Sequence, residues 1–124
     1  PAMGGIIIGY EIGRILNKET IFCERVNKKF TLRRGFAIKK NSKVLIVEDV
    51  ITTGKSSLEC VKLIKKSKAR LVGFACLIDR SKNKKLRNKI ISQVKLEIPT
   101  FNKKNLPLSL KRIPITKPGS RFLK

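Results

Sequence analysis

Two adjacent carboxylates, Glu48 and Asp49, close an apolar run, and after Val50 and Ile51 comes the string Thr52-Thr53-Gly54-Lys55-Ser56-Ser57. Hydroxyls grouped around one glycine at the entry to a helix form an anion site. Free backbone N–H groups and the helix dipole favour negative charge there, and a glycine lets the backbone approach a phosphate closely. The loop Ile51 to Ser56 therefore reads as a monophosphate cradle. Beside it, two acids cannot also bind the phosphate, so they must face hydroxyls or a hard cation. A phosphorylated sugar supplies both, its ring hydroxyls donating to carboxylate oxygens and Mg²⁺ bridging the remainder. An ordinary NTPase loop is disfavoured, because the position five before Gly54 is Asp49 rather than a glycine.

The elements that must hold these residues follow from periodicity. Lys43 to Glu48 is a continuous apolar strand of the kind buried in a parallel sheet. Ser56 or Ser57 caps the next helix, in which Leu58, Val61, Leu63 and Ile64 make an apolar stripe and the last turn is basic. Arg70 to Ile78 is the next buried strand, so strand, helix and strand compose a βαβ crossover and the fold class is α/β. Ligands of such sheets gather at the carboxyl ends of the strands, where the acids and the loop lie.

Upstream, Gly5 to Asn17 is a helix entered through a Gly-rich turn, with Ile8, Ile12, Ile15 and Leu16 at helical spacing. Thr20 to Val26 is a short strand, and Asn27 to Ser42 a long basic loop or hairpin. Downstream, Ser81 to Lys89 is a polar surface loop and Ile90 to Ile98 a further strand. Residues 99–124 hold four of the five prolines and form an irregular tail of the same domain.

A chain of 124 residues is one domain's worth. It opens on Pro1-Ala2-Met3-Gly4-Gly5 with no capping residue before the first apolar run, so residues 1–124 are expected to be one domain lacking its N-terminal part. The net charge is +22, but the lysines are dispersed and the six Phe and one Tyr do not interleave with them as stacking platforms. Nucleic acid is thereby disfavoured as a partner. Cys23, Cys60 and Cys76 are odd in number and widely spaced in a chain without histidine, which fits neither a disulfide framework nor a zinc site. They read as small core residues of a cytoplasmic protein, and no apolar stretch is long enough to span a bilayer.

VLIVEDVITTGKSS resembles the phosphoribosyl-pyrophosphate (PRPP) motif of type I phosphoribosyltransferases: apolar strand, two acids, two variable residues, then Thr-Gly and a hydroxyl. The resemblance implies the fold of that family, a mostly parallel sheet flanked by helices. It also implies that Glu48 and Asp49 hold the ribose hydroxyls, that Val50, Ile51, Thr52, Thr53, Gly54, Lys55 and Ser56 line the PRPP site with Thr52 to Ser56 holding the 5′-phosphate, and that Mg²⁺ is carried mainly by PRPP. PAMGGIIIGYEIGRIL resembles the pyrophosphate-side loop and helix, so Ala2, Met3, Gly4 and Gly5 are expected to offer N–H groups to the diphosphate.

Purine-using relatives place an acid or alanine at the position of Thr52, whereas LIDRS resembles the orotate phosphoribosyltransferases, whose arginine here contacts the base. Thr52 and Arg80 are thus the expected orotate contacts, the guanidinium gripping a carboxylate through two parallel hydrogen bonds. FCERVNKKFTLRRGFAI resembles the basic loop that orotate enzymes close over the neighbouring subunit's active site. That implies a homodimer in which Arg25, Lys28, Lys29, Arg33 and Arg34 neutralise the leaving pyrophosphate. KLEIPTF and PITKPGSRFLK resemble one subgroup of the orotate enzymes. The activity implied is phosphoribosyl transfer from PRPP to orotate in pyrimidine synthesis. The alternatives are a purine phosphoribosyltransferase and a regulator of the same fold that binds RNA.

Overall fold

The computed structural model describes residues 1–82, 86 and 89–114. In chain order the elements are α1 (Gly5–Leu16), an antiparallel hairpin of β1 (Cys23–Val26) and β2 (Lys29–Leu32), then β3 (Lys43–Ile51), α2 (Lys55–Lys66), β4 (Arg70–Asp79) and β5 (Ile90–Lys95). A 3-10 turn at Lys103–Asn105 and a one-turn helix α3 (Leu108–Lys111) follow. Strands β3, β4 and β5 form a parallel sheet in that order, with α2 as the crossover between its first two strands. The α/β architecture expected from the sequence is present.

Side chains alternate across β3, so Ile46 and Glu48 turn to one face and Val47 and Asp49 to the other. Parallel pairing sets Ile46 beside Phe74 and Glu48 beside Cys76, and these join Cys60 and Ile64 of α2 in the core. Phe74 is 1% exposed and anchors that layer. All three cysteines are buried and free, as small core residues should be.

Helix α1 meets β3 at its first residue, Gly5, while Gly9 and Gly13 pack against Thr20 of the segment that follows the helix. Gly5, Gly9 and Gly13 are its buried residues and Ile8 and Ile12 are half-buried, whereas Ile15 and Leu16 are exposed, which corrects the last two positions of the expected stripe. A Cβ on Gly5 would lie 2.5 Å from the Val47 carbonyl oxygen, so only glycine permits this helix-to-strand approach. Other boundaries differ from the sequence reading as well. β3 runs on to Ile51, because β-branched Val50 and Ile51 continue the ladder beyond the acids, with Val50 beside Ile78. The strand expected from Thr20 begins at Cys23, and that expected to Ile98 ends at Lys95. In α2 neither serine caps the helix and Leu58 is exposed; the buried face is Ser57, Cys60 and Ile64.

The basic stretch after Val26 is a hairpin. Asn27 and Lys28 have φ of 47° and 65°, the pair of positive angles that a two-residue turn between twisted strands requires. Phe30 is buried, and the hairpin is tied to α2 by the Cys23 and Cys60 sulfurs, 3.2 Å apart. That shared hydrogen bond lowers the Cys23 thiol to about 7, while the same bond and burial push Cys60 up. Most of the polar loop Ser81 to Lys89 and all of the stretch TKPGSRFLK lie outside the described residues. Among the described residues no helix is long and apolar enough to cross a membrane.

Candidate active site

At the carboxyl end of β3 the chain passes through exposed Thr52 and Thr53 to a buried Gly54, and α2 starts at Lys55. Gly54 has φ 72°, the left-handed region that glycine enters freely, and a Cβ there would collide with the side chain of buried Leu86. Thr53 Oγ1 accepts from the Lys55 N–H at 3.3 Å, and the Gly54 carbonyl accepts from Leu58 N–H at 2.8 Å, the first bond of the helix. The N–H groups of the first turn of a helix have no intrahelical acceptor, so this turn presents donors to an anion. Lys55 and the two threonines are exposed, and Ser56 is half-buried.

The two acids diverge. Glu48 is 8% exposed, and its Oε1 accepts a 2.9 Å hydrogen bond from the hydroxyl of Ser57, itself 1% exposed. Burial raises the Glu48 carboxyl above its ordinary range, the Ser57 bond opposes that rise, and the neighbouring Asp49 charge adds to it. Asp49 lies on the other face, where Oδ1 accepts from the Val50 N–H at 2.8 Å. Its carboxylate packs against Gly4 so closely that a Cβ on Gly4 would overlap it. The glycine turn before α1 and the acid of β3 are therefore one surface. The two carboxylates are adjacent in sequence, yet Asp49 meets the α1 entry and Glu48 meets α2.

Within that turn the Ala2–Met3 peptide is cis. The Ala2 N–H donates to the Cys23 carbonyl at 2.7 Å, so Ala2 is removed from the expected set of anion donors. Met3 and Gly4 are exposed, and Gly5 opens the helix, so the donors of this turn are those from Met3 onward.

Arg80 comes to the same edge. Its backbone N–H donates to the Ile51 carbonyl at 2.8 Å, fixing the residue after β4 beside the one that precedes Thr52. Asp79, buried at 4%, accepts from the Ser81 N–H at 2.7 Å and shapes the turn. Among the described residues the buried Arg80 Nε has no hydrogen-bond partner. Thr52 and Arg80, far apart in sequence, are thus brought together.

The basic residues of the hairpin divide. Arg25 pairs with Glu59 of α2 at 2.8 Å, donates to the Lys28 carbonyl at 2.7 Å and lies 4.2 Å over the Phe30 ring. It is committed to holding the hairpin on α2, a correction to its expected role as a free cation. Arg33 and Arg34 stand 3.7 Å and 3.3 Å from Glu24 Oε1 but are 57% and 63% exposed, so that surface pairing costs little to exchange. Lys28 and Lys29 are exposed at the hairpin turn. Ser57 and Glu59 are the participants that the sequence reading missed: the serine looked like a cap, and the glutamate's partner is remote in the chain.

Two acids, a left-handed glycine and a helix N-terminus thus stand together at the carboxyl edge of a parallel sheet. The chain belongs to the phosphoribosyl transferase domain family, whose sequence model matches residues 1–112. It is 46% identical over 124 residues to the orotate phosphoribosyltransferase of Parvibaculum lavamentivorans, an alignment covering 99% of this chain and 64% of the relative. The fold is shared with the crystal structure of orotate phosphoribosyltransferase from Aeropyrum pernix, at a TM-score of 0.65, 21% identity, and coverage of 77% of this chain and 58% of that one. It is shared as well with adenine phosphoribosyltransferase from Thermoanaerobacter pseudethanolicus, at a TM-score of 0.61, 19% identity, and coverage of 77% and 67%. The chain thus spans 64% of the length of the first of these relatives and 58% of the second. The expected type I phosphoribosyltransferase fold is the one found.

Proposed function

We propose that the protein is an orotate phosphoribosyltransferase, transferring the phosphoribosyl group of PRPP to orotate to give orotidine 5′-phosphate and pyrophosphate in pyrimidine synthesis. The observation that carries the reading is the juxtaposition of Thr52 and Arg80 through the Arg80 N–H to Ile51 carbonyl bond, directly beside the phosphate loop. A neutral hydroxyl and a guanidinium suit a base that bears a carboxylate, and the 46% identical relative is named for that base.

In this reading the turn from Thr52 to Ser56 holds the 5′-phosphate, Asp49 and Glu48 accept from the ribose hydroxyls, and Met3 to Gly5 donate to the diphosphate. The orotate ring nitrogen bonds to the anomeric carbon as the carbon to pyrophosphate-oxygen bond breaks through an oxocarbenium-like state. The protein's work is positioning and charge stabilisation, without a protein nucleophile. Mg²⁺ would be carried mainly by PRPP itself, and it would supply neutralisation of the diphosphate. Lys28, Lys29, Arg33 and Arg34 serve the departing pyrophosphate of the partner subunit in a homodimer. The protein works in the cytoplasm.

The test is pyrophosphate release from PRPP and Mg²⁺ with orotate, uracil, adenine, hypoxanthine and guanine in parallel. Turnover with orotate alone is expected. Turnover with a purine would refute the base assignment, and no turnover with any base would refute the activity.

A further inference from the structure

We infer that Ser57 is a positioning residue that aims the Glu48 carboxylate and fixes the spacing between the two halves of the sugar-phosphate site. The inference rests on the reading of Glu48 as a ribose contact. Its geometric basis is the 2.9 Å bond from Ser57 Oγ to Glu48 Oε1, made between a serine 1% exposed and a glutamate 8% exposed.

A buried hydroxyl needs an acceptor, and a buried carboxylate needs donors. Each meets the other's need here. Glutamate has one more rotatable bond than aspartate, so a glutamate pointing from β3 has more freedom to lose before it can meet a ligand in one orientation. Holding Oε1 settles the orientation of the whole carboxylate and with it the direction of Oε2. The bond also has a consequence for distance. Ser57 belongs to the first turn of α2, directly after the residues of the phosphate loop, whereas Glu48 belongs to β3. It therefore ties the anion-binding end of the helix to the acid-bearing strand. A ligand with a phosphate at one end and hydroxyls at the other reads that spacing.

The experiment is a mutant cycle on PRPP. KM for PRPP, kcat with orotate and the calorimetric PRPP affinity are measured for the wild type, Ser57→Ala, Glu48→Ala and the double variant, with thermal unfolding of each. Ser57→Ala is expected to weaken PRPP about tenfold in KM and in affinity, with kcat less affected, the size expected for losing one hydrogen bond to a charged group. In the Glu48→Ala background the same change is expected to add less than a factor of about two, because its target is gone. An equal loss in both backgrounds, or no loss in the first, overturns the inference. Should Glu48→Ala fail to fold, Ser57→Thr decides: a KM within about threefold of wild type supports it, and one as high as that of Ser57→Ala overturns it. A wild type that binds PRPP but turns over no base refutes the proposed activity alone, and the Ser57 effect is then read on affinity. A wild type that binds no PRPP refutes both.

Discussion

Asp49→Asn is expected to lower turnover about 100-fold while leaving the protein folded. The two halves of that expectation come from different atoms. Asparagine keeps an Oδ1 that can accept from the Val50 N–H at the present 2.8 Å, and it keeps the volume that packs against Gly4. What it loses is the negative charge beside the glycine turn, where a ribose hydroxyl and a positively charged transition state are to be held. A hydrogen bond to a charged group contributes roughly 1.5–3 kcal/mol, and about 1.4 kcal/mol corresponds to a tenfold change in rate. Steady-state kinetics with saturating PRPP and orotate, beside a thermal melt, make the check. Full activity in a folded Asp49→Asn variant would remove Asp49 from the site.

Arg80→Ala is expected to raise the KM for orotate at least 30-fold, an estimate of roughly 2 kcal/mol or more for truncating one partner of a desolvated charge pair, while the KM for PRPP moves little. The backbone N–H that bonds Ile51 survives the substitution, so the edge geometry is retained. Arg80→Lys separates charge from shape. A lysine restores the charge but cannot make the two parallel bonds of a guanidinium, so it should recover only part of the affinity. Calorimetric titration of orotate into each variant in the presence of pyrophosphate measures the effect directly, and an unchanged orotate affinity would refute the role.

The turn from Thr52 to Ser56 was legible in the sequence because every part of it is local. An apolar run, a glycine requiring a left-handed angle and an amphipathic helix follow one another within a short span, and each obeys a rule of neighbouring residues. Arg80 was legible for a similar reason, since a residue that follows a buried parallel strand must emerge at the carboxyl edge. The acids were legible as a pair but not as a divergent pair. The strand was expected to end at Glu48, where alternation would cease, and the ladder instead continues through Val50 and Ile51 and turns the two carboxylates to opposite faces.

The remaining misses share a cause. Hydrophobic periodicity counts side chains, so it selects isoleucine and leucine in α1 and overlooks the glycines that are its buried residues, Gly5 against β3 and Gly9 and Gly13 against Thr20. Ser56 or Ser57 reads as a cap because serine favours caps, whereas the buried Ser57 hydroxyl finds its acceptor in Glu48. Arg25 was grouped with the other hairpin cations because nothing local marks Glu59 as its partner. Contacts between residues remote in the chain decided all three.

The central claim is that the turn from Thr52 to Ser56 at the head of α2 receives the 5′-phosphate of PRPP. Its most direct test is the backbone amide spectrum of ¹⁵N-labelled protein titrated with PRPP and Mg²⁺, with ribose 5-phosphate as a second titrant that lacks the diphosphate. The account predicts that the amides of Thr53, Gly54, Lys55 and Ser56 shift with both ligands, and that those of Met3 to Gly5 shift with PRPP alone. Saturable binding that leaves the Thr53 to Ser56 amides unmoved would contradict it.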